Sequence, residues 1–93
     1  MIRCIAIDDE PLALQLINEY CGKIAFLGLE KVFTNTDEAK AYLNQNPVDL
    51  VFLDIQMPDI NGIQFYKGLK QKPLVIFTTA YKDFAVEGFN VDA

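Results

Sequence analysis

A buried strand that ends in a carboxylate constrains this chain most. Residues Val48 to Leu53 form an apolar run broken only by Asp49, the run stops at Asp54, and Pro58 and Asn61-Gly62 follow. Leu50 to Leu53 lack polar alternation, the pattern of a strand covered on both faces, as in a parallel sheet packed between helices. Pro58 and Asn61-Gly62 are turn chemistry, so Asp54 falls where strand gives way to loop. Open α/β sheets bind ligands outside the carboxyl ends of their strands, which makes this a position for chemistry. A single Asp there could equally do no more than cap the strand, so the question is what else converges on it.

The remaining chain supplies three more strand patterns and the helices between them. Ile2 to Ile7 is apolar apart from Arg3 and stops at Asp8-Asp9-Glu10-Pro11, a strand with two acids at its carboxyl end. Pro11 suits a first helical turn, after which Leu12, Ala13, Leu16, Ile17, Tyr20 and Cys21 recur at helical spacing on one face and Gly22 is placed to stop the helix. Leu27 to Thr34 carries the charged pair Glu30-Lys31 within an apolar run and has the look of an edge strand. Asn35 or Thr36 supplies N-cap chemistry for a second helix that turns Ala39, Tyr42 and Leu43 inward, and Asn44-Gln45-Asn46-Pro47 ends it. Ile63, Phe65, Tyr66 and Leu69 mark a short third helix weakened by Gly68. Leu74 to Thr79 is a β-rich run ending in hydroxyls, and Ala80 to Phe89 is expected to be a fourth helix. The order β-α-β-α-β-α-β-α forces parallel strands joined by right-handed crossovers, an α/β doubly wound sheet in one domain.

Composition removes several classes of function. The 93 residues contain no His and only two cysteines, Cys4 and Cys21, without CxxC spacing. Disulfide frameworks, zinc sites and Ser-His or Cys-His catalysis are therefore not indicated, and both thiols are expected to be buried as small apolar side chains. Eight basic against thirteen acidic residues leave a net charge of −5, a surface that repels nucleic-acid phosphates. No apolar stretch approaches the roughly 20 residues of a membrane-spanning helix, and Met1 to Ile7 is too short before its acids to be a secretory signal. The cytoplasm is the expected location.

A parallel sheet gathers its strand carboxyl ends on one edge, so Asp8, Asp9, Asp54 and the hydroxyls of Thr78-Thr79 are expected to share one pocket. Two unit charges about 4 Å apart at an effective dielectric near 20 repel by about 4 kcal/mol, so three carboxylates there call for a divalent cation. Oxygen-only donors favour a hard ion such as Mg²⁺. A metal beside an exposed Asp suggests phosphoryl transfer with the Asp54 carboxylate as nucleophile. For Asp8-Asp9-Glu10 alone, helix capping ahead of Pro11 weighs about as much as metal binding. Met57-Pro58 reads as turn and packing, and Thr78 and Thr79 could reflect β-propensity and capping. The Asp-x-Asp motif of haloacid-dehalogenase-type phosphatases fails at Gln56, and no phosphate-binding glycine loop is present.

The segments Ile7-Asp8-Asp9-Glu10-Pro11, Asp54-Ile55-Gln56-Met57-Pro58-Asp59-Ile60-Asn61-Gly62 and Thr78-Thr79-Ala80 together resemble the receiver domain of two-component response regulators, over the whole chain and in order. That resemblance implies a flavodoxin-like sheet of strand order 2-1-3-4. It also implies that Asp54 is the phosphoacceptor and that Asp9 is a direct Mg²⁺ ligand with Asp8 as its water-mediated partner. Gln56 would offer its backbone carbonyl to the metal, Thr79 would be the switch hydroxyl, and a sensor histidine kinase would be the donor. The stretch from Thr79 to Phe89 further resembles receivers attached to LytTR-type DNA-binding output domains. By the same resemblance a fifth strand with a switch aromatic and a phosphate-pairing Lys, then a fifth helix, are expected beyond this sequence. None of Lys67, Lys70, Lys72 or Lys82 stands at that strand end. Strand four would then be an apolar edge prone to homodimer contact or domain exchange. A non-phosphorylated interaction or assembly module of the same fold is the alternative, and a metal-dependent phosphatase a more distant one.

Overall fold

In the computed structural model, residues 1–58 and 60–78 are described; the expected fourth helix, Thr79 and Asp59 lie outside them. Within the described residues the elements run β1 (Ile2–Ile7), α1 (Pro11–Gly22), β2 (Leu27–Phe33), α2 (Thr36–Gln45), β3 (Leu50–Asp54), α3 (Gly62–Lys67) and β4 (Leu74–Thr78). All pairings are parallel and the strand order is β2-β1-β3-β4, the expected doubly wound arrangement. β3 is central and buried along its length except for the half-buried Phe52, which accounts for its unbroken apolar run. β2 is an edge and carries Glu30 and Lys31 in exposed positions.

Side chains alternate across the sheet, so each strand contributes to two layers. Ile5, Ile7, Val51, Leu53 and Val75 enter one core together with Ala39 and Leu43 of α2 and Phe65 of α3. Cys4, Ala6 and Leu50 point to the opposite face, where α1 supplies Leu14 and Cys21. Both thiols are buried, as expected, and burial pushes each above its ordinary pKa. The caps follow the sequence: Asn35 Oδ1 accepts the Glu38 N–H at 3.1 Å to start α2, and Pro11 opens α1.

One expectation needs correction. The helical face predicted for α1 is only partly the one it buries: Cys21 is buried and Ala13 and Ile17 are half-buried, but Leu14, outside the predicted set, meets the sheet while Leu12, Leu16 and Tyr20 are 66%, 46% and 60% exposed. On the same side of the sheet, Leu74 and Ile76 of β4 are also exposed.

Candidate functional site

The carboxyl ends of β1 and β3 place Asp8, Asp9 and Asp54 side by side. One carboxylate oxygen from each lies within 4.8 Å of the others, the only such acidic group found among the described residues. The oxygens sit in a cavity of about 640 Å³ that Glu10, Gln56, Met57, Pro58 and Thr78 also line, with Ala13, Leu16 and Ile17 of α1 as an apolar wall. These α1 residues belong to the apolar face that periodicity marks, and all three line the site.

Local backbone geometry holds the acids in place. Asp8 Oδ1 accepts the Glu10 N–H at 2.9 Å, a tight turn that leads into α1, while the N-cap residue Glu10 makes no side-chain cap bond; the acids ahead of Pro11 thus join the acidic cluster without capping the helix through a side chain. Asp54 is the last residue of β3, and its Oδ1 accepts the Gln56 N–H at 3.2 Å. It is 8% exposed, more buried than a loop position suggested. Asn61-Gly62 brings α3 against this strand end: Asn61 Oδ1 caps the helix by accepting the Ile63 N–H at 2.8 Å, and Gly62 N–H donates to Ile55 O at 2.7 Å. A β-carbon on Gly62 would overlap the Asp54 carbonyl oxygen, so glycine is needed here for close approach. Its φ is not positive, and the sequence pair that read as a turn is a cap plus a contact.

Electrostatics mark the cluster as uncompensated. Burial first, then the charge of Asp8, push the Asp54 carboxyl up from 3.8 to about 7, against the Gln56 N–H, which favours the ionised form. Burial raises Asp8 as well, and the Asp9 and Glu10 charges add to it while the Glu10 N–H opposes. No salt bridge to these acids exists among the described residues. Three crowded oxygen donors with no basic partner among the described residues, and no His or Cys in the group, fit a hard divalent cation, whose charge would reverse both shifts.

Comparison with known proteins agrees with this geometry. The response regulator receiver domain family model matches residues 4–93, and the chain belongs to that family. It is 37% identical over 93 residues to the positive alginate biosynthesis regulatory protein of Pseudomonas aeruginosa, covering 96% of this chain and 38% of that protein. It is likewise 37% identical over 95 residues to the sensory transduction protein LytR of Staphylococcus haemolyticus, covering 99% of this chain and 37% of that one. The chain thus spans under two-fifths of the length of these relatives. Among solved structures, the response regulatory domain of mrkE from Klebsiella pneumoniae superposes with a TM-score of 0.83 at 29% identity, over 99% of this chain and 78% of that one. The MaeR response regulator bound to beryllium trifluoride gives 0.77 at 27% identity, over 97% and 76%.

Proposed function

We propose that Asp54 is the phosphoryl acceptor of this receiver domain. The convergence of three carboxylates within 4.8 Å at the ends of β1 and β3 carries this reading. An ionised Asp54 oxygen attacks phosphorus and forms the acyl phosphate P–O bond. The P–N bond of a histidine kinase's phosphohistidine breaks, and its electron pair stays on the imidazole nitrogen. Mg²⁺, held by Asp8, Asp9, Asp54 and the Gln56 carbonyl, would supply charge neutralisation on the transferring oxygens. The chain's own contribution is to keep Asp54 at a rigid strand end, to fix its Oδ1 on the Gln56 N–H, and to wall the pocket with Leu16 and Ile17. Thr79 is the proposed switch hydroxyl for the acyl phosphate. That MaeR, a structural relative, binds beryllium trifluoride supports a phosphoryl site in this fold.

The activity is switching and not turnover: the chain accepts a phosphoryl group from the kinase or from small donors and loses it again by self-dephosphorylation. The output domain, of LytTR DNA-binding type, lies outside these 93 residues, in keeping with the greater length of the relatives. No helix among the described residues is long and apolar enough to cross a membrane, which suits a cytoplasmic partner of a sensor kinase. A homodimer or assembly contact on the β4 side of the sheet is the second reading, and it would use Leu74 and Ile76, 66% and 48% exposed among the described residues.

Acetyl phosphate with Mg²⁺ tests the main reading through the mass of the labelled full-length protein. Asp54 should acquire one phosphoryl group, lost on hydroxylamine treatment, and Asp54→Asn should acquire none. Equal labelling of that variant, or no labelling of the wild type, sinks the assignment.

A further inference from the structure

We infer that the Thr78 hydroxyl positions the Asp54 carboxyl for phosphoryl transfer, an inference that rests on the acceptor role proposed above. Val75 packs into the core beneath α2 and α3, with Phe77 against it. By alternation Thr78 therefore points to the other face of the sheet, and Asp54, alternating with Val51 and Leu53, points there too. The two residues are direct partners in the parallel register of β3 and β4, and both line the acidic cavity.

Thr78 Oγ1 is buried and has no hydrogen-bond partner among the described residues. A buried hydroxyl without a partner destabilises a fold, and valine would give the same branched shape and β-preference without that penalty. The hydroxyl is thus an unneeded group for the sheet and a donor beside a nucleophile. Asp54 Oδ1 already accepts the Gln56 N–H, while its other oxygen takes no N–H donor among the described residues. Rotation about the Cα–Cβ bond carries the Thr78 hydroxyl between staggered positions without moving the backbone. In the position turned toward β3 it donates to the Asp54 carboxyl and fixes the plane from which an oxygen attacks phosphorus. The register bond from the Ile55 N–H to Thr78 O, at 3.4 Å, keeps the two strand ends together during that step.

The intact protein carrying Thr78→Val or Thr78→Ser decides the matter, with labelling by acetyl phosphate and Mg²⁺ and thermal unfolding without either. Thr78→Val should lower the maximal labelling rate about fivefold, the worth of one modest hydrogen bond, and leave the half-saturating acetyl phosphate concentration unchanged. Thr78→Ser, which keeps the hydroxyl and loses the methyl, should return to within about twofold of wild type. Thr78→Val should also melt about 2–4 °C higher, because the orphaned oxygen is gone. A structural role would lower rate and stability together. Wild-type labelling by Thr78→Val, or a Thr78→Ser variant as slow as Thr78→Val, overturns the inference and leaves the acceptor role of Asp54 standing. A wild type without Asp54-dependent label overturns both.

Discussion

Asp54→Asn should make the metal-free domain more stable at pH 8, and the gain should fade as the pH is lowered. The Asp54 carboxyl is raised from 3.8 to about 7 by burial and by the Asp8 charge. An acid whose folded pKa exceeds its unfolded value is held preferentially in the neutral form by the fold. Between pH 4 and 7 the folded state therefore binds more protons than the unfolded chain, and stability declines as the pH rises through that window. At about 1.4 kcal/mol per pH unit the full displacement corresponds to ~4 kcal/mol. Coulomb's law gives a similar magnitude. Two carboxylate oxygens 4.8 Å apart, the outer limit of this cluster, repel by about 3.5 kcal/mol at an effective dielectric of 20.

Water at the open mouth of the cavity screens these charges, so the expected gain for Asn at pH 8 is about 2 kcal/mol. The amide retains an oxygen for the Gln56 N–H, which isolates the charge as the difference. Less than half of the gain should remain at pH 5 and almost none at pH 4, where the carboxyl is neutral in the fold and half neutral in the unfolded chain. Urea unfolding followed by far-UV circular dichroism is the suitable assay, since the chain has no Trp. At constant slope the midpoint should move by roughly 1–2 M. Mg²⁺ should narrow the difference by stabilising the wild type more than the variant, which has one carboxylate fewer. Equal gains at pH 4 and pH 8, or a less stable variant at pH 8, would refute the electrostatic account.

Two further perturbations address the metal and the backbone. Asp9→Asn and Asp8→Asn should each weaken Mg²⁺ binding at least about tenfold by titration calorimetry, since each removes a carboxylate from a three-carboxylate cluster; unchanged affinity would place the ion elsewhere. Gly62→Ala should cost about 3 kcal/mol in urea unfolding and slow labelling of Asp54, because the new β-carbon meets the Asp54 backbone and neither β3 nor α3 can yield cheaply. A neutral effect would mean that α3 can slide on the sheet.

The parallel sheet and the acidic cluster were legible because topology leaves little choice, whereas the strand order 2-1-3-4 came from the family resemblance. Once the apolar runs read as parallel strands, Asp8, Asp9 and Asp54 had to meet at one edge. Helix α1 shows where periodicity stops informing. At 100° per residue its apolar positions from Leu12 to Cys21 sweep an arc of about 200°, wider than a single sheet covers. The sequence shows the arc but not which part is buried, and the sheet takes the Leu14-Cys21 side and leaves Leu12 and Tyr20 in solvent. Gln71 was invisible for another reason. Between Lys70 and Lys72 it reads as a polar loop residue, yet its amide donates to the carbonyls of Leu43 and Asn46 and accepts from the Val48 N–H. Those partners are set by the tertiary fold, and no local pattern announces them.

Several unfavourable features of the described structure gather at the same place. Two buried carboxylates are pushed toward neutrality, a hydroxyl beside them lacks a partner, and apolar Leu16 stands open along the rim. A fold that were optimised only for stability would remove each of these with a single substitution. Kept together, they make stability depend on what occupies the pocket. A cation that binds only the folded state at a hundred times its dissociation constant contributes about 2.7 kcal/mol, which is comparable to the charge penalty it relieves. Occupancy of this one cavity therefore shifts the balance between the folded and the unfolded chain, because a ligand moves an equilibrium by its differential affinity for the two states. Asp54 is the point at which that differential is largest, since the group that carries the greatest penalty in the empty site is the one whose charge the cation neutralises.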